Sequence, residues 1–600
     1  MIIQTLNQYD EAVSNIREAK IIAFDTETTW HSWPSEEMPW EDRELMGISC
    51  WLEIPGKHME VGYYFPFRHE HDPELFPINN ENLPLDWLKY GGLKEAIEES
   101  GNKIVWHNAK FDRQVLKREG INQSGFFYDT MLMSHLENEN KFSHGLDSLG
   151  RNIGVQKLGT PIKSIAKSLK GWSKIPPEVM GMYAIVDAKI TLYLQKKFQE
   201  SLSKQELLEL YNESELFSRV LGRIEERGIG IDLEVSRQLS QKALAQMQDA
   251  LTQFGYDPQK PSQLAHRLFA SQSEGLGLRP IGGYSKRKSV EFPQGLPIMD
   301  SKVLSRLNHE ECERVLEYRS WMKANSTWYE GWFTRVASDG RLHPTYKQHG
   351  TVTSRLSCEN PNMQQIPRDV EKSPVKTMLS ARPGYQLWEF DYSQVEFRLG
   401  SVYADCEPIL DTYRAGGDVH KLTAERIGLY EVLEPDKARY AGKQTNFLVI
   451  YGGGAEVLCA QLWRDARMHV DLESAKEWLV NFHETYPEFR ACAHKCENVA
   501  KQKSVVKYWN GTKRHFDKPW ECYKAYNSVV QGGAAQIMKH SMIELDRANY
   551  YLVGQVHDSV WIELKEETAE EEAKKIKEIM EWPSEKFGIP FPVDTKVLSH

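Results

Sequence analysis

The sequence predicts a mixed α/β and α+β fold in several domains, and three observations carry that prediction. The chain runs to 600 residues, about four times a common single-domain length, so a single core cannot hold it. In the first 200 residues, short apolar runs end in polar or acidic residues, as buried strands of a mixed sheet do. From Gln205 the apolar spacing turns helical, and strand-like alternation returns near Leu387 and Val553. Hydrophobic residues at 40% and charged residues at 26% exclude a collagenous, disordered or membrane-spanning chain. The start, Met1-Ile2-Ile3-Gln4, has no basic region, apolar stretch or cleavage site, so a cytoplasmic protein with no membrane association is expected.

Eight scattered cysteines do not form the dense framework of a small secreted domain, so reduced thiols are expected. Cys492 and Cys496 share a helix face without a second pair nearby, which favours packing over zinc. The net charge of −11 argues mildly against a nucleic-acid partner, leaving local placement to decide.

Ala19–Asp25 reads as the first strand, and Asp25-Thr26-Glu27 leaves it with both carboxylates on one side. Alone, such a triplet is usually a cap or a salt-bridge partner. A second strand, Lys103–His107, leads into Asn108-Ala109-Lys110-Phe111-Asp112. A third segment sets Tyr183 and Asp187 four residues apart, on one helix face. Two divalent ions about 4 Å apart need several shared carboxylates and can activate a water for phosphodiester cleavage. Hard oxygen ligands favour Mg²⁺ or Mn²⁺. The expected cage is Asp25, Glu27, Asp112 and Asp187, with Tyr183 orienting the attacking water.

Leu207 to Ile224 predicts a helix stopped by Gly228. Residues 271–300 read as a Gly/Pro/Ser-rich loop with a basic tip, Lys286-Arg287-Lys288, either solvated or a phosphate contact. In Leu387–Tyr392, aromatics alternate with Glu389 and Asp391, predicting a half-buried strand with both carboxylates on its open face. Arg439, Lys443, Phe447 and Tyr451 recur every four residues before Gly452-Gly453-Gly454, so they share one face of a helix. That face is either an ordinary amphipathic surface or a phosphate grip beside a stacking platform. Val553–Glu563 reads as a tight hairpin turning at His557-Asp558. The charge-dense run Glu566–Lys577 reads as a solvated helix face.

The set D-x-E, N-x-x-x-F-D and Y-x-x-x-D resembles the DnaQ-like, RNase H-like 3′–5′ exonucleases. Asp391-Tyr-Ser-Gln-Val-Glu-Phe-Arg398, Arg439–Gly452 and Val556-His-Asp558 resemble motifs A, B and C of the family A DNA polymerases, the Klenow-like part of DNA polymerase I and its phage relatives. The resemblance covers nearly the whole chain. It implies an RNase H-like exonuclease domain over 1–200 and a right-hand polymerase over 201–600, with the thumb at about 205–330. The palm falls at about 331–410 and 530–600 and the fingers at about 411–529.

The implied activity is template-directed primer extension with dNTPs, with 3′–5′ proofreading and two Mg²⁺ per active site, Mn²⁺ able to substitute. Asp391 and Asp558 are the implied polymerase metal ligands. Arg439, Lys443 and His420 would grip the triphosphate, Phe447 and Tyr451 pack on sugar and base, and Gln394 stand beside the nucleotide. Glu396 would occlude a 2′-hydroxyl, and Phe447 would disfavour dideoxynucleotides. Arg355 and Gln531 would read minor-groove acceptors, and Asn362, Gln365, Asn527 and His557 would contact DNA.

Ser354 stands where the family usually has Gly, Ser559 where a Glu commonly follows the catalytic Asp, and Tyr523 in place of an Arg. The familiar C-terminal ending is missing at Leu598-Ser599-His600. No 5′-nuclease domain is expected, nor a thumb insertion for a processivity factor; any replisome partner is unidentified. A monomer is expected, in host cytoplasm if phage-encoded. The rival readings are a catalytically silent DNA-binding or annealing scaffold and a related single-subunit RNA polymerase.

Overall fold

The computed structural model describes residues 1–29, 44–55, 59–72, 82–155, 159–367 and 374–599. His600, the last residue of the altered ending, lies outside them. The first apolar run forms β1 (Ile21–Thr28), with Ile22, Ala23 and Phe24 buried. β2 (Leu45–Ile54) pairs antiparallel with β1, and β3 (Met59–Pro66) antiparallel with β2. On the other side of β1, β4 (Ile104–Trp106) runs parallel to it, and β5 (Tyr128–Asp129) parallel to β4. The sheet order is therefore β3-β2-β1-β4-β5. After β4 the chain turns at Asn108, φ 69°, into α1 (Ala109–Arg118). The long α2 (Pro177–Lys204) opens with a proline whose missing N–H costs nothing at a helix start. It packs across β1, β2 and β3.

α3 (Leu208–Arg227) ends at Gly228, whose φ of 62° only glycine adopts cheaply. Its Phe217, Val220, Leu221 and Ile224 enter a second, larger core. α4 (Leu233–Phe254) and α5 (Glu310–Ala324) pack together over Phe254, Leu264, Cys312, Val315 and Tyr318. Between them, residues 271–300 form irregular chain with Lys286, Arg287 and Lys288 exposed.

The second core is built on an antiparallel sheet of β6 (Tyr385–Tyr392), β7 (Tyr551–Val556), β8 (Ser559–Lys565) and β9 (Val593–Ser599), in the order β7-β8-β6-β9. The same core takes in residues of α6 (Val395–Ala404), α7 (Val419–Arg426), α8 (Pro435–Tyr451) and α9 (Ala525–Arg547). α9 runs unbroken through residues 529 and 530, where the sequence reading placed a change of subdomain. A Cβ at Gly442 would lie 2.6 Å from the His420 carbonyl oxygen, so glycine there lets α7 and α8 approach closely. The charge-dense run 566–577 falls mostly within the helix Ala569–Met580, which buries Ala573, Ile576 and Met580. All eight cysteines are free thiols. Among the described residues no helix is long and apolar enough to cross a membrane.

One expectation for β6 fails. Asp391 is exposed, but Glu389 is buried rather than open. Lys376 caps its carboxylate with bonds of 2.7 and 2.8 Å. Alternation correctly puts the two acids on one face but does not reveal that a lysine from the preceding turn covers half of it.

Candidate active sites

β1 delivers Asp25 and Glu27, and α2 delivers Tyr183 and Asp187. One carboxylate oxygen each from Asp25, Glu27 and Asp187 lies within 4.8 Å of the others. Three like charges this close cannot all stay ionised without a counter-charge. Three hard oxygen donors are what Mg²⁺ or Mn²⁺ takes, so the donor set fits a divalent ion. Asp112 stands outside this group. Thr26, between the two acids on β1, donates its N–H (2.9 Å) and hydroxyl (2.7 Å) to Asp112 Oδ1. Burial pushes the Asp112 carboxyl up to about 7.

Tyr183 is buried and hydrogen-bonded to Asp187; burial and then that charge raise its pKa, so the phenol stays protonated. The sequence reading missed Tyr64, whose hydroxyl bonds His69 Nε2 at 2.9 Å. Burial, then the Glu27 and Asp25 charges, raises its pKa as well. Its spacing in the chain does not announce it; in the fold, glycines make room for it, since a Cβ at Gly47 would lie 2.2 Å from its hydroxyl and one at Gly181 2.9 Å from its ring.

Helix α1 faces two ways. Lys110 and Gln114, one turn apart, meet the buried Glu225 of α3. Asn108, Lys110, Phe111, Glu225, His343 and Lys347 border a cavity of about 750 Å³ there.

On the second sheet, Asp391 sits opposite Ser559 of β8 and Asp594 of β9. The Tyr392 N–H donates to the Asp558 carbonyl at 3.1 Å, drawing the His557-Asp558 turn against the end of β6. The Gln364 side chain steadies that turn: its Oε1 accepts from His557 N–H (2.9 Å) and its Nε2 donates to the Gln555 carbonyl (3.0 Å). Sequence reading chose Asn362 and Gln365 instead. Both are exposed, and Asn362 Oδ1 accepts from the Gln364 N–H at 3.0 Å. It missed Asp594 too, which only strand register reveals. Asp391 and Asp594 stand directly opposite in the antiparallel ladder, where acids repel, and Asp558 lies on the turn that Tyr392 draws against the end of β6.

Glu396, 3% exposed, accepts from Arg355 and from the Tyr451 hydroxyl. Burial lowers the Arg355 pKa, but Glu396 and Asp558 outweigh it and the net shift is upward. Arg355, Gln364, Gln531, His557 and Asp558 line a cavity of about 230 Å³. On α8, Arg439 and Tyr451 are exposed and Lys443 and Phe447 half-buried, while Ala438, Ala441, Thr445 and Leu448 are buried. Arg439 Nε donates to Asp418 Oδ2 at 2.5 Å.

His420 is 1% exposed, and burial pulls it down to about 4. It is neutral, and what it offers a phosphate is an N–H rather than a charge. Nδ1 faces Asn446 Nδ2 at 2.9 Å, which assigns the proton to Nε2, an atom with no partner among the described residues. Gln394 Oε1 accepts from the Tyr413 hydroxyl at 3.0 Å. On α9, Asn527 Oδ1 is buried without a partner among the described residues, one turn before Gln531. Asn108, Ser354, Gln394 and His557 all hold positive φ (69°, 60°, 56° and 54°). Strain of this kind gathers where surroundings over-determine a site, and the Ser354 conformation is one that glycine would adopt at less cost.

A sequence model of DNA polymerase family A matches residues 233–599. The chain belongs to this family. A 3′–5′ exonuclease model matches residues 60–203, which leaves Asp25 and Glu27 before its start. The chain is 26% identical to DNA polymerase I of Rhizobium leguminosarum over its full length and 60% of that protein. It is 28% identical to DNA polymerase I of Pseudomonas aeruginosa over 95% of the chain and 62% of the relative. With DNA polymerase DpoZ of Salmonella phage PMBT28 it shares 25% identity over 91% of both. The chain thus spans about 60% of the length of the bacterial relatives it matches first. The fold of this family A chain is that of the POL domain of Pol1 from M. smegmatis, solved with DNA primer-template and dNTP. The TM-score is 0.78 at 20% identity, covering 100% of this chain and 98% of that one.

Proposed function

We propose that the chain is a template-directed DNA polymerase that extends primer 3′ ends with dNTPs and removes mispaired ends at a separate 3′–5′ exonuclease site. The observation that carries this reading is two acidic centres on two sheets of one chain: Asp25, Glu27 and Asp187 on one, and Asp391 held beside Asp558 on the other. Residues 1–204 form the exonuclease unit in this reading and the remainder the polymerase, with primer-template DNA and dNTPs as partners.

Asp391 and Asp558, with Asp594 beside them, would hold Mg²⁺ at the polymerase site. Asp25, Glu27 and Asp187 would hold it at the exonuclease site, with Asp112, held on Thr26, as the fourth acid of the set. Such ions lower the pKa of an attacking oxygen and neutralise charge on the phosphoryl group. The α8 stripe faces the triphosphate with Arg439 and Lys443, and His420 donates its Nε2 proton to a phosphate oxygen. Phe447 and Tyr451 bound the sugar and base, and Glu396, fixed by Arg355 and Tyr451, closes the space a 2′-hydroxyl needs. Arg355 and Gln531 face the minor-groove side of the new pair, with Asn362, Gln365, Asn527 and His557 along the DNA. Tyr183, protonated, holds the attacking water as a hydrogen-bond donor.

The test is a labelled primer with a mispaired 3′ end, in Mg²⁺, with and without dNTPs. Shortening without dNTPs and full extension with them is expected. Asp187→Ala should abolish shortening alone and Asp558→Ala extension alone. Binding of DNA with neither reaction would sink the proposal.

A further inference from the structure

Glu389 and Asp391 share one face of β6. Across the ladder Asp391 meets Ser559, and Glu389 meets Trp561. The Ser559 hydroxyl, a single donor, lies 3.2 Å from Glu389 Oε1 and 2.9 Å from the Val556 carbonyl. Its one proton is shared between these two acceptors, and because Ser559 directly follows Asp558, the bond to Glu389 ties the β6 carboxylate to the turn that carries Asp558. Trp561 Nε1 also donates to Glu389 Oε1, at 3.1 Å, and Lys376 Nζ reaches both oxygens. Glu389 is 9% exposed. A buried ion pair of this kind is weak evidence for stability, because well-packed apolar residues often serve as well. Its place, one pleat behind Asp391 and one hydrogen bond from the Asp558 turn, asks for another explanation.

The resemblance of Val556-His-Asp558 to motif C leads one to expect a carboxylate at 559, and the sequence has a serine there. The structure puts a carboxylate across the ladder, hydrogen-bonded to the residue that replaced it. We propose that Glu389 is the positioning carboxylate of the polymerase site: from β6, through Ser559, it sets the Asp558 turn relative to Asp391, with Lys376 balancing its charge. Ser559 and Glu389 then form an exchanged pair, the acid having moved from one strand to its neighbour. This rests on the proposed polymerase reading. It adds a residue that neither touches the substrate nor need touch the ion. Outer partners of metal-holding carboxylates typically change affinity or activity by 10–100-fold.

The test compares Glu389→Gln, Glu389→Ser, Ser559→Glu and the double exchange Glu389→Ser/Ser559→Glu. Mn²⁺ binding is read by electron paramagnetic resonance in an Asp187→Ala background, and the Mg²⁺ dependence of extension is read separately. Single-strand exonuclease rate, in chains with Asp187 intact, and melting temperature report folding. Glu389→Ser should weaken Mn²⁺ binding and raise the half-saturating Mg²⁺ by about tenfold or more, with exonuclease unchanged, and the double exchange should return both to within about threefold. Should Glu389→Ser lose exonuclease and hence its fold, Glu389→Gln, which keeps the shape without the charge, decides by the same shift. A folded Glu389 variant with metal binding and dependence within twofold of the parent overturns the proposal. An inactive parent would refute the polymerase reading instead, and Mn²⁺ binding would still report on Glu389.

Discussion

Replacing Glu225 with alanine should disable the exonuclease from outside its own sheet. Glu225 lies on α3, 4% exposed at its side chain. Its ion-pair partner Lys110 is 12% exposed and belongs to α1. The carboxylate also accepts from Gln114 Nε2 at 2.9 Å and from the Tyr346 N–H at 2.6 Å. Asp112 lies two residues beyond Lys110, about 200° around the helix, with its back to Glu225 and its Oδ1 on Thr26. The substitution leaves the Lys110 ammonium without its counter-charge and two buried N–H donors unmatched. Breaking a buried pair on one side costs about 3–5 kcal/mol. Lys110 still reaches the Tyr346 carbonyl, which places the loss near the lower end, about 3 kcal/mol. Much of that is relieved if α1 shifts away from α3, and a shift of α1 moves Asp112 off Thr26. The expected outcome is an exonuclease rate on single-stranded DNA down about tenfold or more, with matched-primer extension within twofold of the parent. Glu225→Gln, which keeps an acceptor for Tyr346, should lose less of both stability and exonuclease. Chemical denaturation read beside the two rates checks this. A Glu225→Ala protein destabilised by under 1 kcal/mol, with its exonuclease within twofold of the parent, would refute the reasoning.

Three further outcomes are expected. Glu396→Ala should lower discrimination against ribonucleotides, measured as the ratio of kcat/KM values, by about tenfold or more, since a pocket wall and a fixed acceptor vanish together; an unchanged ratio would remove Glu396 from sugar selection. Phe447→Tyr should raise dideoxynucleotide incorporation relative to deoxynucleotide; equal use of both by the parent would contradict the role given to Phe447. The rings of His135 and His144 lie 5.2 Å apart and those of His144 and His349 6.5 Å, and burial pulls these residues down to about 3, 4 and 4, with His420 also near 4. Folded values below the unfolded value of about 6.5 mean that the unfolded chain binds protons first, so stability is held above about pH 6.5 and lost as pH falls toward 4. Each histidine contributes up to about 1.4 kcal/mol per pH unit, and a melting temperature flat between pH 7 and 5 would contradict these shifts.

What the sequence discloses here is the company each residue keeps along its own element. The spacing of Asp25 and Glu27 follows the pleat, that of Tyr183 and Asp187 the helical turn, and the four-residue recurrence from Arg439 to Tyr451 one face of α8. The hairpin turn at His557-Asp558 was readable because apolar runs flank it. Spacing is silent about what a face meets. Asp112 was expected among the exonuclease acids, and spacing alone does not show that Thr26, between the two acids of β1, is what holds its Oδ1. Gln364 and Gln365 are equivalent in sequence, and the short helical turn Met363–Gln365 decides which of them meets His557.

The same reasoning explains Glu389 and Asp594. Parity placed Glu389 and Asp391 on one face, and parity was right; burial of the first and exposure of the second come from Lys376, thirteen positions upstream, arriving over one and not the other. Asp594 becomes a neighbour of Asp391 only through the β6–β9 register. A carboxylate needed beside Asp391 is therefore constrained in space rather than along the chain. Any of three strands can furnish it, and an acid missing from β8 and present on β6 keeps a carboxylate within hydrogen-bond reach of the Asp558 turn. On that view the serine at 559 is half of an exchange whose other half is Glu389, and a motif read along one strand sees only the loss.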